Sequence, residues 1–307
     1  MPMNLGDYTY IRNQIFEEKE DIDVLFLGAS VIWSAIDTPR VKTTLSSELG
    51  RPAEIVTLGF LFNGIDVPYV ILKDLLARRK VRTVVFSILR DDWTRGPSIP
   101  GCKLQRYSDF PEVVEDLQYH SKLSLYACSV LATPHDLLAA IRSPYERRSE
   151  FVDSLGAKKE VLGMDRDPDT FVRFRPRPPE FSAEFLTFSD ETKQNFRFKE
   201  QRLPEYQEHY LDALVELLKE HDVKLVFLNV PQLFERGSDK VIEYQDWQAR
   251  FGPEVTLIGV PPRRLFGGLD EHSIELLHCD IDHFNWNGNE FFTEAMMPAI
   301  LEAVKDE

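Results

Sequence analysis

Cysteine is scarce. The 307-residue chain has three, Cys102, Cys128 and Cys279, with no CxxC pair and no regular spacing. That pattern points to neither a zinc knuckle nor a disulfide framework; one disulfide could form, and buried free thiols are the expectation. Long apolar runs are missing as well: none approaches the ~18–20 residues that a membrane span needs. Basic residues are outnumbered, 36 Lys and Arg against 51 Asp and Glu, for a formal net charge of −15. Such a chain is repelled by a phosphate backbone and by an anionic membrane surface, so nucleic acid is not expected as a partner. There is no Walker loop and no GxGxxG, which leaves nucleotide-cofactor readings without support. Acidic pairs such as Asp165 and Asp167 lack a metal-loop pattern. Met1 to Glu20 is polar and has no apolar h-region, so the chain as written reads as not exported.

What is present is an ordinary balance for a soluble globular protein, 43% hydrophobic and 28% charged, in a chain long enough for a large core. Strand and helix signals alternate from the start. A short helix is predicted around Tyr8 to Glu18, a strand over Ile22–Leu27 and a helix over Trp33–Leu49 that ends near Gly50. Within that helix, Asp37-Thr38-Pro39 is itself a helix-start signal. A second strand is predicted over Ala53–Leu58, a helix over Ile65–Arg79 with a basic end, and a third strand over Val81–Leu89. The third strand is nearly continuous in apolar residues, as parallel strands covered on both faces are. The order β-α-β-α-β predicts a parallel sheet with right-handed crossovers.

The pattern then breaks. Residues 90–205 show no buried-strand signal. Pro111–Ala140 reads as helical, followed by a charged stretch and by Phe171-Val172-Arg173-Phe174-Arg175-Pro176-Arg177, read as an extended edge. This segment is expected to be a helical insertion over the carboxyl edge of one sheet, because the pattern on either side belongs together. A helix over Glu205–His221, a strand over Val223–Val230, a helix over Lys240–Phe251 and a strand over Val255–Val260 complete five strands. A short helix or turn over Glu271–Leu277 and a final helix over Asn289–Lys305 close the chain.

Two stretches carry chemistry. Ser30 follows Gly28-Ala29 at the carboxyl end of the first strand, where open α/β sheets place ligands. On its own it is equally a helix cap. Asp280-Ile281-Asp282-His283 lies in a turn before the last helix. An aspartate and a histidine at this spacing can meet, so that the carboxylate fixes one tautomer of the imidazole and stabilises its protonated form. An isolated D-x-x-H is more often a surface turn whose histidine caps or packs. Phe284, Trp286 and Phe291 are candidates to dry the surroundings, and His278 is expected at the surface or beside the pair.

Gly28-Ala29-Ser30 after the first strand, Gly59 after the second and Asp280-x-x-His283 before the last helix together resemble the SGNH (GDSL-type) hydrolase superfamily. His283-Phe284-Asn285-Trp286-Asn287-Gly288 is similar to the H-x-N-x-x-G ending of its cell-envelope O-acetyltransferase-like branch. The resemblance covers residues 21–305 apart from the insertion. It implies one domain, a three-layer α/β/α sandwich with a five-stranded parallel sheet of flavodoxin-like order. It further implies Ser30 as nucleophile, His283 as base, Asp280 as orienting acid, and the Ser30 and Gly59 amides as oxyanion donors. The substrate would be a small-molecule or glycan ester, and no metal or cofactor is implied. Relatives of this branch work in the cell envelope behind an N-terminal anchor, so that compartment is the expectation if the chain belongs to a longer protein.

One position departs from the family. The third oxyanion donor should be an asparagine within Leu89-Arg90-Asp91-Asp92, and Asp91 stands there. An ionised carboxylate accepts hydrogen bonds and cannot donate them. Three outcomes follow: Arg90 or Asn63 takes the donor's place, the site is a slow or specialised acyltransferase, or it is an inactive site that binds a glycan or a partner.

Overall fold

Val24, Leu25, Phe26 and Leu27 are all completely buried, and they alternate between two hydrophobic clusters. That alternation explains an apolar run without polar interruption: both faces of the strand are covered. The computed structural model describes residues 7–60, 64–87, 164–166, 172–174, 205–239, 255–279 and 283–305. Its elements in chain order begin with α1 (Asp7–Phe16), β1 (Ile22–Ala29), α2 (Ser30–Ala35) and α3 (Thr38–Leu49). They continue with β2 (Ile55–Phe60), α4 (Asp66–Leu76), β3 (Val81–Ser87), β4 (Met164–Arg166) and β5 (Val172–Phe174). The rest are α5 (Glu205–Glu220), β6 (Lys224–Leu228), β7 (Thr256–Ile258), α6 (Pro262–Leu265), α7 (Glu271–Glu275) and α8 (Trp286–Lys305).

The fold is mixed α/β. Five parallel strands form one sheet in the order β2-β1-β3-β6-β7. Leu25 and Leu27 pack with Ile11 and Ile15 of α1, Ile71 and Leu75 of α4, and Tyr210 and Leu214 of α5. Val24 and Phe26 face the other way, into Ile32 of α2, Val41 and Leu45 of α3, and Phe292, Met296 and Ile300 of α8. Helices therefore cover both faces. The chain pairs β1 first with β2 and then with β3 on its other side, so strand order reverses at β1. Ligands of open α/β sheets bind beyond the carboxyl ends of the strands at such a reversal.

Several boundaries differ from expectation. The predicted helix over Trp33–Leu49 is two helices. Ile36 between them is extended, with φ −111° and ψ 119°. The Asp37 side chain accepts from Arg40 N at 3.1 Å, and Pro39 stands in the first turn of α3. Proline cannot donate to a preceding turn and clashes with it, so a helix starts here and cannot run through. β1 and β2 continue two residues further than their apolar runs, through Ala29 and Phe60, because Gly28 and Gly59 are paired in the ladder. The final helix begins at Trp286, three residues before the expected start. Within the expected insertion, β4 and β5 form a separate antiparallel hairpin. β5 lies against α2 and α8. Strands of three residues are too short to carry a periodic signal, which is why none was expected there. The helices predicted over Pro111–Ala140 and Lys240–Phe251 lie outside the described residues.

Two polar anchors hold the amino-terminal elements. Arg79 is buried and donates from Nε to Glu20 O at 2.7 Å and from Nη1 to Gln14 O at 2.8 Å. Asp23 at the start of β1 accepts from both terminal nitrogens of Arg51, at 2.9 and 2.5 Å, and from Glu54 N at 2.9 Å. Among the described residues, no helix is long and apolar enough to cross a membrane.

Candidate active site

The carboxyl end of β1 is shaped by close approach. Gly28 has φ +156°, and a Cβ there would collide with the Ser87 hydroxyl at the end of β3. Only glycine fits both the backbone and the space. Level with it on β2, a Cβ at Gly59 would lie 2.6–2.8 Å from ring atoms of Trp33. Gly59 therefore lets the Trp33 ring of α2 lie against the end of β2.

Ser30 is the first residue of α2, and the N-cap position belongs to Ala29, which has no side-chain cap bond. The capping role open to Ser30 from sequence is thus not the one it has. Its Oγ lies 2.7 Å from His283 Nε2, across 253 residues of chain. Ser30 is 7% exposed.

His283 is presented by a loop that the following motif builds. His278 and Phe284 form an antiparallel bridge, and Cys279 N donates to His283 O at 2.9 Å. Asn285 does two jobs. Its Oδ1 accepts from Asn287 N at 2.9 Å and Gly288 N at 3.2 Å, capping α8. Its Nδ2 donates to Leu276 O at 2.7 Å and His278 O at 3.3 Å, pinning the strand of loop that pairs with Phe284. The cap explains why α8 starts at Trp286. A Cβ at Gly288 would collide with the Leu277 carbonyl and the Phe284 ring, so the helix start can press on the loop only with glycine there. The asparagine and glycine of H-F-N-W-N-G thus have a local physical task, holding the segment that carries the histidine.

Phe284 is buried and packs its ring against Phe292, Phe266 and His278. Trp286 and Phe291 are half-buried, and Phe291 stacks on Phe266. His278, expected at the surface or beside the pair, is buried, and its Nδ1 donates to Ile274 O at 2.9 Å. The bridge to Phe284 turns it inward, which a lone histidine in a polar stretch does not reveal.

Of the residues singled out from sequence, the structure brings Ser30 and His283 together and places Gly59 on the neighbouring strand end. Asp280, Asn63, Arg90 and Asp91 lie outside the described residues. Among the described residues, no group of His, Cys, Asp and Glu is arranged to hold a metal ion.

Compared with known families and with curated proteins, the chain matches none.

A hydroxyl in contact with an imidazole nitrogen can lose its proton to that nitrogen, which is the arrangement of an activated nucleophile. Sequence reasoning missed four buried polar residues of this part of the chain's fold: Thr293, Asn289, Asn229 and Ser87. Thr293 Oγ1 accepts from Asp37 N at 2.7 Å and donates to Ala35 O at 3.1 Å, while Asn289 Nδ2 donates to Ser34 O at 3.1 Å. Asn229, just past β6, is completely buried, and neither its Oδ1 nor its Nδ2 has a hydrogen-bond partner among the described residues. The Ser87 hydroxyl is buried and likewise without a partner among the described residues. A signal for Asn289 and Thr293 did exist: two short polar side chains four apart on the apolar face of a helix.

Proposed function

We propose that this protein is a serine-dependent acyl-ester enzyme, a hydrolase or an O-acyltransferase acting on a carbohydrate or small ester, built on a flavodoxin-like SGNH-type fold. The observation that carries the reading is the 2.7 Å contact between Ser30 Oγ and His283 Nε2. It is supported by the position of Ser30 where strand order reverses, and by the resemblance of Gly28-Ala29-Ser30, Gly59 and Asp280-x-x-His283 to that superfamily.

In this reading Ser30 Oγ attacks the ester carbonyl carbon while His283 Nε2 takes its proton. Asp280 orients the imidazole and stabilises the imidazolium. The Ser30 and Gly59 amides face the oxyanion of the tetrahedral intermediate. Collapse expels the alcohol, which leaves with the proton from His283, and acyl-Ser30 remains. Water or a sugar hydroxyl, deprotonated by His283, then attacks that ester and frees Ser30. The acceptor decides between hydrolysis and transfer.

A second reading has Asp91 in its favour. A carboxylate at the third oxyanion position cannot donate, and losing one such donor costs about 10²–10³ in rate. On that reading the cleft holds a glycan or a partner without turnover. A fluorophosphonate probe separates the two. Labelling of the wild type, lost in Ser30→Ala and in His283→Ala, supports the enzyme. A folded wild type that takes no label sinks it.

A further inference from the structure

α2 has only six residues. A helix of that length does not hold itself, and its placement has to come from what it packs against. Its last carbonyls are also buried and need donors. Those donors come from α8. Asn289 and Thr293, one turn apart and 2% and 0% exposed, direct their side chains to α2 and to the start of α3. Asn289 Nδ2 donates to Ser34 O at 3.1 Å, and Thr293 Oγ1 donates to Ala35 O at 3.1 Å. The same Thr293 oxygen accepts from Asp37 N at 2.7 Å, where the chain enters α3. One hydroxyl thus joins the exit of α2, the entry of α3 and the middle of α8.

At its amino-terminal start, within one turn of Asn289, α8 holds the histidine segment through the Asn285 cap and the close contact at Gly288. The connections close a ring: Ser30, α2, the Ser34 and Ala35 carbonyls, Asn289 and Thr293, α8, Asn285, His283, and back to Ser30. The ring joins residues more than 250 positions apart in the chain. The two ends of the ring are far apart in the chain, and the α2–α8 bonds tie the helix that carries Ser30 to the helix that follows His283.

We infer that Asn289 and Thr293 are positioning residues, which seat the helix beginning with Ser30 against the helix His283 leads into and so set the Ser30–His283 contact. The geometric part stands on the hydrogen bonds alone. Its kinetic consequence rests on the reading of Ser30 as a nucleophile.

The test uses the full chain in three variants. Thr293→Val keeps the shape and removes the hydroxyl, Thr293→Ser keeps the hydroxyl, and Asn289→Ala removes one bond without adding bulk. The first readout is a crystal structure of each variant. The second is the saturating rate of fluorophosphonate labelling per folded molecule, with the probe concentration at half-saturation. In Thr293→Val the Oγ–Nε2 distance is expected to exceed 3.5 Å, beyond hydrogen-bond reach. The saturating rate falls about 10- to 100-fold, as misplacement by about an ångström does, with half-saturation unchanged. Thr293→Ser restores the rate to within about 3-fold, because the three-way bond is restored. Asn289→Ala moves both readouts the same way by less, and serves if Thr293→Val does not fold. An unchanged Ser30–His283 contact in folded Thr293→Val or Asn289→Ala overturns the inference, as does a Thr293→Ser as slow as Thr293→Val. A wild type that takes no label while the contact still lengthens in the variants overturns the acyl-ester reading and supports the positioning role.

Discussion

Ser30 and Ser87 show what surroundings do to one residue type. Both stand at carboxyl ends of neighbouring strands, and both are buried. Ser30 Oγ meets an imidazole, while Ser87 Oγ has no hydrogen-bond partner among the described residues and lies where a Cβ on Gly28 would be. A buried hydroxyl without a partner is a cost to folding, and removing it leaves a cavity of only one atom. Ser87→Ala is accordingly expected to leave stability unchanged or to raise it by up to about 1 kcal/mol. A urea-unfolding curve checks this, and a clear loss of stability would show that the hydroxyl is bonded after all. Serine to alanine at position 30 belongs to a different category, because there the hydroxyl has a partner and its removal strands the His283 nitrogen.

At the scale of elements, α8 and the loop before it form one unit. Asn285 satisfies helix N–H groups with its oxygen and loop carbonyls with its nitrogen, so its amide has to be oriented one way. Losing a cap costs about 0.5–2 kcal/mol, and leaving a buried carbonyl unpaired costs about 1–3 kcal/mol. Asn285→Ala is therefore expected to lose about 2–4 kcal/mol. Asn285→Asp keeps the cap acceptor but turns a carboxylate oxygen toward the Leu276 and His278 carbonyls, so it should fail to rescue. Equal stability of Asn285→Asp and the wild type in chemical denaturation would contradict the two-sided role. The same logic separates α2 from α3. Asp37 and Pro39 stop a continuous helix, and the break frees carbonyls for Asn289 and Thr293 to bind.

At the scale of the whole molecule, acid sensitivity follows from where carboxylates are tied down. Burial works to raise the Asp23 carboxyl. It is outweighed by the Arg51 hydrogen bond, the Glu54 N–H and the charges of Arg51 and Arg82, which together hold the carboxyl below its usual value. A folded-state value below the unfolded one means stability that is present above about pH 4, the unfolded value, and lost as the pH falls through the folded value. Arg51→Met takes away the lowering partner and leaves the burial that raises. Its acid-unfolding midpoint should move to higher pH, with some stability lost at neutral pH from the missing charged hydrogen bonds. An unchanged midpoint in a circular-dichroism pH titration would show that the pair carries no linkage. Asp23 stands at the start of β1 and Arg51 leads into β2, so this pair ties the amino ends of these two neighbouring strands together.

Much of the architecture follows from the sequence alone, because hydrophobic periodicity and end signals are local. The runs at Ile22–Leu27, Val81–Leu89 and Val223–Val230 marked sheet strands, and Asp37-Thr38-Pro39 marked the start of α3, since burial on both faces and capping act within a few residues. Ser30, Gly59 and His283 could be singled out by residue type and order. Their distances could not, nor could the inward turn of His278 or the hydroxyl of Thr293 joining three helices. Ser30 with His283 and Ala35 with Thr293 join segments more than 250 residues apart, and the inward turn of His278 depends on how its loop folds back onto Phe284. Periodicity says which face of an element is buried. Only the packed sheet and helices decide which two polar atoms on those faces meet.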